Sequence, residues 1–353
     1  MIATAQEPAG RITMRTGITF VQTLSAVDAD RESLHRVRLA SDSGLHFEWL
    51  FEEVHPNGDT LRGSHRYFEA MADLATARRI RFFHDQSSPE AHPGYTMHAL
   101  SRATYRRMRA GAPDSLQVMD LDRGVDLGPI SAFGTGARRA TPVRWRGTIA
   151  PANPGTVPFP VLLNGRRVEL RALHLRGDFT ARQGRWQPQL LVLADSAYPM
   201  ILKWIGSHRE TDNVVQTTRI DLPIDPGVAE RELTTSCRAE LAGIYFAFNS
   251  AVLAPASDDA IASIASILTR HPDWTATLEG HTDSIGSASA NKTLSERRVA
   301  AVRARLVERH KVDPARLKVA GHGAARPRET NATIEGRARN RRVELVRDCT
   351  RKS

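Results

Sequence analysis

The stretch Trp274-Thr-Ala-Thr-Leu-Glu-Gly-His-Thr-Asp-Ser-Ile-Gly286, followed by Asn291-Lys-Thr-Leu-Ser-Glu-Arg-Arg298, decides the fold of the last third of this 353-residue chain. Trp274–Glu279 reads as a strand, and Gly280-His281-Thr282-Asp283 as the turn that leaves it. A helix is expected over Leu294–Arg309, because Val299, Val302 and Leu306 return to one face at helical spacing. Upstream, Ile244-Tyr245-Phe246-Ala247-Phe248 reads as an aromatic strand ending at Asn249-Ser250. A first helix follows it. Ser257 can cap that helix, Asp258 and Asp259 suit its first turn, and Ile261, Ile264, Ala265 and Leu268 form its inner face before Pro272 stops it. Downstream, Leu317–Ala320 and Arg341–Val346 read as strands around a short helical Glu335–Asn340. The order βαβαβ(α)β predicts an α/β sandwich, with helices packed on a small mixed sheet.

Five segments resemble, in order and spacing, the OmpA-like (OmpA/MotB C-terminal) peptidoglycan-binding domain. They are IYFAFNSAVL from Ile244, EGHTDSIG from Glu279, NKTLSERR from Asn291, GHG from Gly321 and GRARNRRVE from Gly336, within residues 235–349. The resemblance implies non-covalent binding of the cell-wall stem peptide through its diaminopimelate residue. It gives recognition to Asp283 and Arg298, a polar position to Asn291, and the pocket rim to Thr282, Leu294, Asn249 and Ser250. It also implies no reaction, no cofactor and no metal, in the periplasm or at the outer membrane of a Gram-negative-type envelope. Val299 departs from the Ala usual in that family, a small apolar change. The chemistry suits the residue types. The free end of diaminopimelate carries an ammonium and a carboxylate on one carbon, which an acceptor-only Asp and the planar fork of an Arg match separately. Lysine lacks that carboxylate. Two blander readings stay open: Asp283 as a turn residue only, and Arg298 as its fold-stabilising partner without a ligand. Arg341 and Arg342 read as structural partners of nearby acids.

The first two thirds read as a mostly antiparallel β domain, so the chain as a whole is α+β. Leu45, Phe47, Trp49 and Phe51 alternate with His46, Glu48 and Leu50, between the turn signals Ser41–Gly44 and Pro56–Asp59. Helices are expected near Phe68–Arg79 and Ser101–Ala110, the second closed by Gly111. Phe159–Leu163 and Val168–Leu175 flank the hairpin signal Asn164-Gly165, with Pro158 and Pro160 restricting the first to an edge. Leu190–Leu193 and Met200–Trp204 read as strands. Chemistry is thin here. Gly134-Thr135-Gly136 lacks the βαβ context of a dinucleotide site. His46, His55, His65, His84, His92 and His98 lack metal-ligand spacing. The Arg pairs at 78–79, 106–107, 138–139 and 166–167 read as solvated faces.

Residues 205–232, with Asp221, Pro223, Asp225, Pro226 and Gly227, are expected to be a linker between a β domain over 11–204 and the last domain over 233–349. Lys and Arg number 49 against 39 Asp and Glu. The excess lies mainly in the last third, which suggests an anionic partner such as a wall polymer, lipid headgroups or nucleic acid. Of these, the wall polymer fits the resemblance and nucleic acid does not. The most apolar run, Leu241–Ala256, is short of the roughly 20 residues of a spanning helix. Ala3-Thr4-Ala5 has the form of a cleavage site, so residues 1–10 fit a signal remnant. Cys237 and Cys349 fit either two separate thiols or a disulfide tying the ends of the domain in an oxidising compartment; the disulfide is the expectation carried forward. Three functions compete: a wall anchor carrying a β domain that meets an envelope protein, a wall enzyme with its active site in the β domain, and a nucleic-acid binder whose affinity would fall steeply with salt.

Overall fold

The computed structural model describes residues 12–349, apart from 26–29, 55–59, 83–89, 122–141, 207–212, 224 and 248. Residues 1–10, His55, His84, the 134–136 stretch and the Arg pair at 138–139 fall outside the described residues. The chain divides into two compact units. One comprises residues up to Val161 and Val168–Thr217, the other Leu162–Arg167 and Thr218 onward.

The first unit is built on one large sheet. Its strands are β1 (Thr19–Ser25), β2 (Asp30–Ala40), β3 (Gly44–Val54), β4 (Thr60–Ala70), β5 (Arg79–Arg81), β6 (Asp114–Leu121), β7 (Pro142–Pro151), β8 (Val157–Leu163), β9 (Arg166–Ala181), β10 (Gly184–Trp186), β11 (Gln189–Leu193), β12 (Ile201–Gly206) and β13 (Asn213–Asp221). The order is β4-β3-β2-β1-β13-β12-β11-β9-β7-β6-β5, with β10 on β9 and β8 on β9 and β13. Among the strand pairs of this sheet with described register, pairing is antiparallel except for β5 with β6 and β8 with β13. The alternation in β3 is real: Leu45, Phe47 and Trp49 are buried. Asn164 and Gly165 both take positive φ, the conformation of a two-residue hairpin turn. Strand β8 is not an edge, because Leu162 and Leu163, beyond both prolines, pair with β13.

Helix α2 (Arg102–Arg109) begins where Ser101 accepts from the Thr104 amide at 3.3 Å. The helix expected over 68–79 shrinks to α1 (Met71–Thr76), since β4 runs through Ala70 with Tyr67 and Glu69 buried. The expected linker is also corrected. Residues 213–221 are β13, and α3 (Pro226–Thr235) starts with Asp225 accepting from the Gly227 amide at 2.9 Å. Asp-Pro-Gly, read as a break, is a helix start with Pro in its first turn.

The second unit carries β14 (Arg238–Glu240), α4 (Asp258–Arg270), β15 (Ala276–His281), α5 (Ala288–His310), β16 (Leu317–Gly323), α6 (Ile334–Asn340) and β17 (Val343–Arg347). The sheet runs β14-β17-β15-β16, with β15 and β16 parallel and the other pairs antiparallel. Ile261, Ile264 and Leu268 of α4 pack with Val299, Val302 and Leu306 of α5 and with Leu278 and Leu345 of the sheet. Helix α5 seats close on the sheet at two glycines. A Cβ on Gly280 would lie 2.6 Å from the Ser295 carbonyl oxygen, and one on Gly321 2.5 Å from the Glu296 amide.

Two expectations fail locally. The aromatic segment at 244–247 is not the first strand; β14 is. The Ala247 amide instead donates to Val252 at 3.0 Å, closing a tight turn in which Asn249 takes a φ of 47°. Ser257 does not cap α4, because its hydroxyl is engaged by both the amide (2.9 Å) and carbonyl (3.0 Å) of Tyr245. Cys237 and Cys349 form a disulfide with a Cα separation of 6.1 Å, fastening the segment before β14 to the one after β17.

Candidate functional site

Helix α5 is the spine of the site. Ser287 caps it by accepting from the Ala290 amide at 3.2 Å, so the helix starts well before Leu294. Asn291, Leu294 and Arg298 then fall at i, i+3 and i+7 on one flank, with Arg298 about 10 Å along the axis from Asn291. Leu294 is half-buried between them.

Around Asn291 lies the turn after β15. The Thr282 amide donates to the Gly323 carbonyl at 3.0 Å, and its hydroxyl to the Asp283 carbonyl at 2.9 Å. The Asn291 side chain donates to the carbonyls of Asp283 and Ile285 at 3.3 and 3.0 Å. One oxygen of the buried Asp283 carboxylate accepts from the Ile285 amide at 3.0 Å, and the other from Arg341 at 2.6 Å. Asn331 accepts from the Ser284 amide at 3.1 Å. Asp283, Thr282 and Asn291 are thus brought together.

Around Arg298 lies the 246–250 turn. Its Nε donates to the Ser250 carbonyl at 2.9 Å, and its guanidinium lies 5.0 Å over the Phe246 ring. Asn249 is exposed in that turn, and the Ser250 hydroxyl accepts from the Val252 amide at 3.1 Å. The ion-pair partner of Asp283 is Arg341, not Arg298. Sequence reasoning left Phe246, Asn331 and the specific role of Arg341 out of the site. Phe246 had a signal, an aromatic just before the Asn-Ser turn; the partner of Arg341 had none.

Behind the turn, strand register sets Glu240, Glu344 and Glu279 opposite one another on β14, β17 and β15. Three such carboxylates in a row repel unless cations lie between them. Glu344 accepts from Arg342 at 2.5 Å, from Arg328 at 2.7 Å and from Arg238. Glu279 pairs with Arg238 at 2.8 Å, and Glu240 with Arg339. Burial alone would push Glu344 up, but the hydrogen bonds from Arg342 and Arg328 outweigh it and hold the carboxyl at about 2. Glu279, His281 and Glu344 bring donor atoms within 4.8 Å of one another, a spacing a metal could use. The guanidinium ions on both carboxylates already balance their charge, so the set is an ion-pair network. Burial, with Arg342 alongside, holds the His281 imidazole at about 4. The network reaches the turn after β15 through Asn340, whose amide donates to Asn331 at 3.0 Å.

In the first unit the notable acid is Glu69, buried and accepting from the amides of Met97 and His98 at 2.5 and 3.1 Å and from the Tyr198 hydroxyl at 2.7 Å. Burial raises its pKa despite these bonds. Asp114 and Asp195 are also buried, with Asp114 accepting from the Thr104 hydroxyl at 2.9 Å and Asp195 from the Ala197 amide at 2.9 Å. None of His46, His65, His92 and His98 enters a metal-like cluster among the described residues.

The sequence model of the OmpA family matches residues 245–341. Outer membrane porin F of Pseudomonas aeruginosa is 43% identical over 101 residues, 29% of this chain and 29% of the porin. Outer membrane protein A of Bordetella avium is 40% identical over 104 residues, 30% of this chain and 53% of that protein. Peptidoglycan-binding protein ArfA of Mycobacterium tuberculosis is 40% identical over 103 residues, 29% of this chain and 31% of that protein. The chain therefore spans between 29% and 53% of the length of these relatives.

Proposed function

With residues 245–341 an OmpA family domain, we propose that this chain binds peptidoglycan without reacting with it, through the diaminopimelate of the stem peptide, and so anchors the β unit to the cell wall. It works in the periplasm or against the outer membrane, the membrane named in its relatives outer membrane porin F and outer membrane protein A. The observation that carries the reading is the flank of α5, which holds an oriented carboxylate at one end and an oriented guanidinium at the other. Asp283 takes the ligand ammonium. A carboxylate has about four acceptor positions, and the Ile285 amide and Arg341 use two, so capacity remains. Arg298 takes the ligand carboxylate, its plane set by Ser250 and Phe246. Asn291 and Thr282 fix the Asp283 backbone, while Leu294, Asn249 and Ser250 form the rim.

Calorimetric titration with free diaminopimelate and with Nα-acetyl-lysine amide, whose only charged group is the side-chain ammonium, tests this. Wild type binds the first and not the second, and Asp283→Asn and Arg298→Gln each lose about tenfold or more, the scale of one charge-assisted bond. Equal affinity for both ligands would contradict the reading.

A further inference from the structure

Register in the first unit gathers arginines that lie far apart in sequence. Arg79 pairs with Gln117, Gln117 with Arg146, Arg146 with Thr180 and Thr180 with Arg185, forming one row across β5, β6, β7, β9 and β10. Arg144 lies two residues from Arg146, on the same face of β7, and Arg79, Arg144, Arg146 and Arg185 are all exposed. Beside the row, Arg78 and Arg107 flank a 330 Å³ cavity shared with Asp114, Ser115 and Thr148. With Arg176, which register sets opposite Ala150 on the same face, at least seven guanidinium ions stand against Asp114 and Asp178 among the described residues here. Asp114 is buried, 3.7 Å from Arg78 and 3.4 Å from Arg107, and Asp178 is gripped by Arg185 through two 2.7 Å bonds. The exposed large apolar side chains (Leu39, Val228, Val252, Ile285 and Val319) all lie elsewhere.

We propose that this face docks on a phosphate-bearing lipid surface. Arginine forks suit phosphate oxygens, and strands about 4.8 Å apart with same-face residues about 6.7 Å apart make a broad array rather than a pocket for one anion. A nucleic-acid face would interleave aromatics for stacking. This row has none. Tyr105 and Met108 of the neighbouring α2 are buried in the core, so contact is electrostatic and without insertion.

The test is flotation of the full chain with vesicles of phosphatidylcholine containing phosphatidylglycerol, against pure phosphatidylcholine, over a salt series. The comparison pair is Arg79→Gln/Arg144→Gln/Arg146→Gln and an equal charge removal elsewhere, Arg38→Gln/Arg66→Gln/Arg309→Gln. Wild type is expected to float with the anionic vesicles only, with binding lost at high salt. The row variant should lose on the order of a hundredfold in partitioning, and the control variant should retain it. An unchanged thermal midpoint shows that the row variant folds. Wild type ignoring anionic vesicles, or equal losses in both variants, overturns the proposal. Full release by inorganic phosphate at matched phosphorus would also overturn it, in favour of a small-anion pocket between Arg78 and Arg107. Sacculus binding is read separately in the same samples, so failure here leaves the wall reading intact, and the reverse.

Discussion

Phe246 lies 5.0 Å under the guanidinium of Arg298, and what it adds to binding can be isolated. A partly desolvated cation–π contact contributes about 0.5–2 kcal/mol, so Phe246→Ala should weaken diaminopimelate binding roughly twofold to thirtyfold while Phe246→Trp preserves it. Calorimetric titration of both variants checks this; an unaffected Phe246→Ala would mean that Ser250 alone orients Arg298. Arg341 offers a second test. Its 2.6 Å bond to Asp283 adds positive charge at the ammonium end, so Arg341→Gln should narrow the preference for diaminopimelate over Nα-acetyl-lysine amide. A preference that stays as wide as wild type would count against that role. The residue types were legible because a carboxylate, an amide and a guanidinium recur at fixed positions around a Gly-His-Thr-Asp turn. The Asp283–Arg341 pair was not, since a contact across 58 positions leaves no local pattern.

At the scale of elements, α5 matters most, because it sets both ends of the flank. It rests on Gly280 and Gly321, where added Cβ atoms would meet backbone at 2.6 and 2.5 Å. Gly280→Ala should cost about 1–3 kcal/mol by overpacking, seen as a lower urea midpoint. An unchanged midpoint would show that α5 can move away without loss. Periodicity found the apolar half of this helix but started it at Leu294, since Ala288–Thr293 has no apolar stripe and depends on the Ser287 cap. The opposite error occurred at Ile244–Phe248. Aromatic content suggested a strand, yet Asn249 at positive φ folds the segment into a turn beside Arg298. Asp225-Pro226-Gly227 misled in the same way, because one composition serves both a break and a helix start.

Over the whole molecule, each unit holds a buried histidine that makes it acid-sensitive. Burial holds His98 at about 3, so between pH 6.5 and 3 the unfolded first unit binds the proton that the folded one refuses. Stability there falls as pH drops through that window, by up to about 1.4 kcal/mol per pH unit from this group. Glu344, held at about 2 against an ordinary 4.5, stabilises the second unit fully above pH 4.5 and is lost only below it. His281, held at about 4, destabilises the second unit over the same window, so calorimetric scans from pH 7 to 4 should lower both transitions, and a transition that does not move would contradict the assignment of its histidine. Reduction should act on the second unit alone, since Cys237 and Cys349 close a loop across 112 positions within it. The chain-entropy account puts that loss at about 4–5 kcal/mol. A β unit and an α/β unit were legible as types, but the boundary expected near residue 230 was not the one found: the second unit takes in Leu162–Arg167 and begins again at Thr218. The large sheet order was not legible, since its long-range pairings have no sequence signature. Co-sedimentation with purified sacculi tests the central claim most directly, comparing wild type with Asp283→Ala and Arg298→Ala in the presence and absence of free diaminopimelate. The account predicts that wild type pellets, both variants stay in solution, and diaminopimelate releases the bound protein. Variants that pellet as well as wild type, or a wild type that ignores the wall, would contradict it.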